Sequence, residues 1–308
     1  MFRGQTRHCA IQDRDIRLFE TLLECRVMTR RHIALIHFDG RMEAAKKRLH
    51  ALATSNYLSG KRRRPNEAAV YSLSKKGFDA LRAHVGTQPH RATRWSGAER
   101  RLHVSPLTLQ HELDVVSVRA AMTGAIRTRC EDAIQEFCTR PSMIAFKVNV
   151  PWEPAVTVKP DGFAHVRMRR HNGTIVDDFF FLEVDRSTES QTILFRRLAA
   201  YGEFYRRGGF ARRRGGLPQD YKRYPFRVLV TCRSPERMCS LATQLANRSR
   251  TGTQIWLTTF AECVTNPLRQ IWVTPSDIRE LTVTTVGRGI TAVESLSKRT
   301  LFAPHPEA

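Results

Sequence analysis

Lys159-Pro160-Asp161-Gly162 and, further on, Phe180-Phe181-Leu182-Glu183-Val184-Asp185-Arg186 bracket the stretch from which the rest of the chain is read. Between them lies His171-Asn172-Gly173, and Asn-Gly accepts the positive φ that a tight hairpin needs. Phe163, Ala164 and Val166 form the apolar run of one strand, and Phe179 to Val184 that of another. A loop centred near Asn172 sets Asp161 across from Glu183 or its neighbour, at the roughly 5 Å that separates cross-strand Cβ atoms. Glu183 and Asp185 stand two residues apart and so face the same way. The expectation is three carboxylates converging at one end of a hairpin. Such groups repel unless a cation lies between them, and Mg²⁺ takes hard oxygen ligands of this kind. Each acid taken alone has a plainer reading, as a strand-end residue paired with one of the 51 Lys and Arg.

Composition narrows the setting. The 308 residues suffice for two domains, and 41% hydrophobic content supports packed cores. A formal net charge of +22 points to a polyanionic partner, nucleic acid first. No apolar run approaches the roughly 20 residues that span a bilayer, so no membrane partner is expected. Met1-Phe2-Arg3-Gly4 lacks the apolar core of a signal peptide. The seven cysteines fall at irregular spacings with no CxxC pair, and are read as reduced thiols of a cytoplasmic protein.

Residues 13–84 have a rhythm of their own. Asp13 is placed to cap a helix carrying Ile16, Phe19, Leu22 and Leu23, and Thr29 to cap a second with Ile33, Leu35 and Ile36, stopped at Asp39-Gly40. A third helix, from about Met42 to Ser55, turns Ala45, Leu49 and Leu52 inward and carries Arg41, Lys46, Lys47, Arg48 and His50 elsewhere. Tyr57-Leu58, the basic tip Lys61-Arg62-Arg63-Arg64 and the return run Ala69 to Leu73 read as a two-stranded wing, with a closing helix after Lys75. This order resembles winged helix-turn-helix domains, in which a helix enters the major groove and the wing touches backbone. Arg41, Lys46, Lys47, Arg48, Lys61, Arg62, Arg63 and Arg64 are therefore the expected DNA-binding residues. Four successive cations repel one another, and phosphate contacts account for them better than a merely solvated face does.

Gly86, Pro89, Gly97 and Pro106 punctuate a stretch without apolar periodicity, so 86–108 reads as a linker. Leu109, Leu113, Val116, Ala120 and Ile126 then mark a helix, and Ile144 to Val150 alternate as a half-buried strand. After the hairpin, Ile193, Leu194, Leu198, Tyr201 and Tyr205 share the broad face of a helix, with the aromatics read as core. From Arg206 to Arg223 seven cations and four glycines read as a mobile basic loop able to lie along a nucleic-acid backbone. Phe226 to Val230 and Ile255-Trp256-Leu257 are short strands flanking a helix that Pro235 opens, with one more strand at Ile271-Trp272-Val273.

The resulting order from residue 109, helix, three strands, helix, strand, resembles the core of the PD-(D/E)XK nuclease superfamily, with Pro160-Asp161 and Glu183-Val184-Asp185 at its two motif positions. More narrowly, a winged helix followed by His111, Pro160-Asp161-Gly162, Leu182-Glu183-Val184-Asp185-Arg186-Ser187-Thr188-Glu189, Leu198 and Tyr201 is similar to the replication-relaxation family of bacterial plasmids and integrative elements. The resemblance implies an α/β (α+β) protein, with a winged helix over 1–85, the linker, a nuclease-like α-β-β-β-α-β domain over 109–284 and a tail over 285–308. It implies Asp161, Glu183, Asp185 and Lys159 as catalytic candidates, and Asp161, Glu183 and the helix acid Glu112 as ligands of Mg²⁺. One departure stands out. Asp185 replaces the lysine that the nuclease pattern carries two residues after Glu183, so either a cation from Lys159, Arg186, Arg196 or Arg197 stands in for it or the domain no longer cleaves. The expected function is thus a DNA-binding protein of a mobile element, acting in its replication, relaxation or transfer. The alternatives are an active Mg²⁺-dependent nuclease and a winged-helix transcriptional regulator. Double-stranded DNA, replication or conjugation proteins and a second copy of the chain, as a homodimer, are the expected partners.

Overall fold

Helix α1 (Asp13–Cys25) begins where the Gln12 amide donates to Asp15 Oδ2 at 2.8 Å, so the cap lies one residue before Asp13. It buries Ile16, Phe19 and Leu22, the positions its periodicity selects. After β1 (Met28–Thr29) the Thr29 hydroxyl caps α2 (Arg30–His37) by accepting from the His32 amide at 3.4 Å. Asp39 and Gly40, both at positive φ, turn the chain into α3 (Met42–Thr54), which buries Ala45, Leu49 and Leu52. Strands β2 (Leu58–Lys61) and β3 (Val70–Leu73) form an antiparallel hairpin, and β1 pairs with β3 on its other side. Helix α4 (Lys75–Val85) closes this core.

The computed structural model describes residues 9–61, 63–85, 94–128, 133–151, 153–169, 174–248, 254–277 and 298–301. Two helices occupy the described part of the expected linker and the residues after it: α5 (Trp95–Leu102) and α6 (Pro106–Arg127). Trp95, Ala98 and Leu102 make a short apolar stripe at helical spacing, and all three pack on the first core, Trp95 against Phe78 with ring centroids 5.5 Å apart. Glycine and proline had masked that stripe. The chain divides into two units, Met1–Gly124 and Ala125–Ala308, with the division inside α6.

The second unit is built on a mixed sheet, five-stranded among the described residues, in the order β10 (Ile255–Thr259), β9 (Arg227–Cys232), β8 (Ile175–Asp185), β7 (Gly162–Arg169), β4 (Ala133–Cys138). Strands β4 (Ala133–Cys138), β7 (Gly162–Arg169) and β8 (Ile175–Asp185) form its antiparallel part. Between β4 and β7 come the short helix α7 (Pro141–Ile144) and a separate hairpin, β5 (Phe146–Val150) with β6 (Glu153–Val158). The expected strand at 144–150 thus exists as β5, but β4 holds the place beside β7. Strand β4 escaped notice because a bulge between Ile134 and Glu136 breaks its period of two. Helix α8 (Gln191–Arg206), capped by the Ser190 hydroxyl, crosses from β8 to the parallel strand β9 (Arg227–Cys232).

Along that crossover the expected mobile loop is instead folded into α9 (Gly209–Arg213) and a 3-10 turn (Pro218–Arg223), because Phe210 and Ala211 are buried. Pro235 opens α10 (Pro235–Arg248), which leads to β10 (Ile255–Thr259), parallel to β9, and then to α11 (Phe260–Thr265). β11 (Gln270–Trp272) pairs with β12 (Arg299–Thr300), so part of the expected tail is structured; residues 278–297 and 302–308 lie outside the described residues. Phe146, Phe163, Phe181, Tyr201, Phe204, Phe210 and Phe226 form one aromatic core between the sheet and α8.

Candidate functional site

The β7–β8 register pairs Gly162 with Leu182, and the Asp161 amide donates to the Leu182 carbonyl at 3.0 Å. One step further along the same register sets Asp161 opposite Glu183, as a loop centred on Asn172 requires. Residues 170–173 themselves lie outside the described residues. Asp161 Oδ2 accepts from the Val184 amide at 2.7 Å, fastening the end of β7 to β8.

Glu183 is 1% exposed. The Tyr201 hydroxyl donates to its Oε1 at 2.6 Å, and Arg197 Nε lies 3.1 Å from its Oε2, off the line of a hydrogen bond. Arg197 and Tyr201 are one helical turn apart on α8, on the face that Leu194 and Leu198 bury against the sheet. Burial pushes the Glu183 carboxyl up to about 8; Arg197 pulls it down, Asp161 pushes it up and the Tyr201 bond pulls it down. Burial and the facing carboxylate raise the Tyr201 hydroxyl well above its ordinary value. Burial works against the Arg197 charge, but Glu183 and Glu189 outweigh it and the guanidinium is held more firmly protonated; Arg197 reaches Glu189 at 3.1 Å.

Asp185 is 8% exposed and answers to another helix. Arg237 on α10 donates to it through Nε at 2.7 Å and Nη2 at 3.4 Å, and the Ser187 amide adds a third bond at 2.9 Å. The fork also grips the Glu189 carbonyl at 3.1 Å. The three acids therefore do not converge: among the described residues no three His, Cys, Asp or Glu side chains are grouped to hold a metal ion. Lys159 and Arg196 are exposed, and of the cations considered from sequence Arg197 is the one paired with Glu183. Arg237 was not anticipated, for nothing at position 237 marks it except its place just inside a helix that comes after a buried strand. Glu112 belongs to the first unit, where Arg26 takes its carboxylate at 2.5 Å.

In the first unit α3 leaves Lys46, Lys47 and His50 exposed, with Lys46 3.6 Å from Glu43. Arg41 is exposed and holds Asp39 at 2.9 Å. Arg48 points the other way. Its Nε donates to Asp15 Oδ1 at 2.9 Å, its Nη2 binds Asp15 Oδ2, and its Nη2 also donates to the Ala10 carbonyl at 2.7 Å; Asp15 is fully buried. Arg48 is thus a structural residue and not part of an exposed basic face. On the hairpin Lys61 and Arg64 are exposed, Arg63 is held by Glu67 at 2.9 Å, and Arg62 lies outside the described residues.

The replication-relaxation family matches residues 19–219, about two thirds of the chain, and the chain belongs to that family. The match takes in α3, the hairpin of the first unit, Asp161, Glu183, Arg197 and Tyr201, and ends before Arg237. No curated protein and no solved structure matches the chain. Among the described residues no helix is long and apolar enough to cross a membrane.

Proposed function

We propose that the chain binds double-stranded DNA of a plasmid or integrative element and serves the element's replication, relaxation or transfer. In this reading the first unit is a winged helix-turn-helix, with α3 as the helix that enters the major groove and the β2–β3 hairpin as the wing along the backbone. The observation that carries it is the division of α3 between a buried Ala45-Leu49-Leu52 stripe and an outer face bearing Lys46, Lys47 and His50, beside a hairpin that exposes Lys61 and Arg64. Replacing Lys47, Lys61 and Arg64 together by Ala should weaken binding and flatten its dependence on log salt by roughly 0.9 for each phosphate no longer neutralised. Unchanged affinity in a folded variant would dismiss α3 and the wing as the interface.

The order β4, β7, β8, α8, β9 supports a nuclease-like core for the second unit, which holds only the last turn of α6. The alternative of an active nuclease draws on Asp161 and Glu183 facing each other across two strands, where they would hold Mg²⁺, an ion that supplies charge stabilisation to phosphoryl chemistry. One Glu183 oxygen accepts from Tyr201, the other faces the Arg197 guanidinium at 3.1 Å, and Asp185 is committed to Arg237, so as arranged these donors do not fit the ion. That favours binding without cleavage. Supercoiled plasmid incubated with protein and Mg²⁺ should be retarded in a gel but not nicked, and accumulation of open circles would favour the nuclease instead.

A further inference from the structure

The second unit carries a cleft of about 500 Å³, lined by Lys147 of β5, Arg207 at the end of α8, Arg212 of α9 and an apolar floor that includes Val148 and Phe204. We infer that this cleft is a second DNA-backbone site, separate from α3 and the wing, which takes a phosphate between the three cations and the adjoining deoxyribose against the floor. It rests on the reading that the chain binds double-stranded DNA, but not on the role of α3 and the wing.

Charge is the first support. Among the described residues no acidic residue lines the cleft, and the side chains of Lys147 and Arg212 make no hydrogen bond or ion pair. Arg207 has only a share of Glu203, at 3.5 Å, because Arg206 holds the same carboxylate at 2.5 Å. Three cations brought together with only a shared carboxylate among them repel one another, and a polyanion relieves that repulsion.

Preorganisation is the second. Gly208 takes φ +66°, and a Cβ there would meet the Pro218 backbone at 2.3 Å; a Cβ on Gly209 would meet the Phe204 ring at 2.3 Å. Only this glycine pair lets the chain double back tightly enough to put Arg207 and Arg212 on the same cleft. Arg213 then ties α9 to the chain entering β5, through the Ile144 carbonyl at 2.9 Å and the Ala145 carbonyl at 2.7 Å. The walls are fixed before any ligand arrives.

A free nucleotide or inorganic phosphate presents the same chemistry. Further cations follow the cleft along the chain, however: Lys222 and Arg223 are exposed on the 3-10 turn whose first residue, Pro218, lies against Gly208. A continuous strand uses that extension and a mononucleotide does not.

The test uses the full chain and a fluorescent duplex of mixed sequence, with affinity measured by anisotropy across a salt series. Lys147→Gln, Arg207→Gln and Arg212→Gln combined should reduce affinity at least tenfold and flatten the log–log slope by up to about 2.7, at about 0.9 per phosphate. Arg212→Gln alone, which disturbs no partner, should flatten it by about 0.9 and keeps the test open should the triple variant fold poorly. The same losses should appear in the Lys47, Lys61 and Arg64 variant, which reads the first unit separately. If only that variant loses affinity, the cleft is not a DNA site; if only the cleft variants do, the inference stands and the α3 reading fails. Thymidine monophosphate or inorganic phosphate raising the melting temperature of the parent but not of the cleft variants, with duplex affinity equal in all, would make this a free-nucleotide site and overturn the inference.

Discussion

Glu183 couples folding to pH in a direction that can be measured. Its carboxyl is raised from an ordinary 4.5 to about 8 by burial, so between those values the folded chain holds a proton that the unfolded chain releases. Stability contributed by this group is therefore greatest in acid, falls as pH rises from about 4.5 through 8, and is level above that. The slope approaches 1.4 kcal/mol per pH unit, about the value of one proton. Glu183→Gln should flatten the profile and gain relative stability toward pH 9, which urea titrations at pH 5, 7 and 9 would reveal; parallel parent and variant profiles would mean the carboxyl is ionised throughout. Arg48 makes a second contrast. Arg48→Ala strands the buried Asp15 carboxylate and should cost about 3 kcal/mol, the lower end for an abandoned buried charge because Arg48 is partly exposed. Lys47→Ala, one position away and exposed, should cost under about 0.5 kcal/mol. Equal melting temperatures for the two variants would refute the inward orientation of Arg48.

At the scale of elements, the junction of α8 and α9 is the least forgiving. Gly208→Ala adds left-handed strain of about 1 kcal/mol and a collision with backbone that no rotamer change relieves, so a loss of about 2–4 kcal/mol in denaturant unfolding is expected. The parts of the fold legible in the sequence are those with a local cause. Thr29 announced α2, and Ala45, Leu49 and Leu52 announced α3, because capping and helical period act within a few residues. The β7–β8 pairing was legible because the Asn-Gly pair in the sequence and two apolar runs predict the register that the described strands have. Strand β4 was not legible, since a bulge spoils its alternation, and α5 was hidden by the glycine inside it. The contacts of Arg237 and Arg48 with their acids, across 52 and 33 residues, were beyond any local rule. Asp185 looked like a missing lysine from sequence; in the fold it is a strand-end anchor for α10.

Taken whole, the chain carries +22, and salt should act on it in two opposite senses. Screening relieves self-repulsion, so the melting temperature of the free protein should rise between about 50 and 300 mM salt, over which the Debye length shrinks well below about 10 Å. The same increase should weaken DNA binding steeply through counterion release. A melting temperature that falls with salt would show that local ion pairs, such as those of Arg237 and Arg197, outweigh the net charge.

Strand β8 belongs to both halves of its sheet, antiparallel to β7 on one side and parallel to β9 on the other. The family match stops at residue 219, ahead of β9, α10 and β10. A chain cut there would turn β8 from a central strand into an edge, baring the amides and carbonyls of Phe180 to Asp185 along one of the most apolar runs in the protein. Such an edge is a template for another copy of itself. A fragment ending at 219 should therefore self-associate in light scattering, and the segment beyond the match is the cover that keeps the sheet from growing.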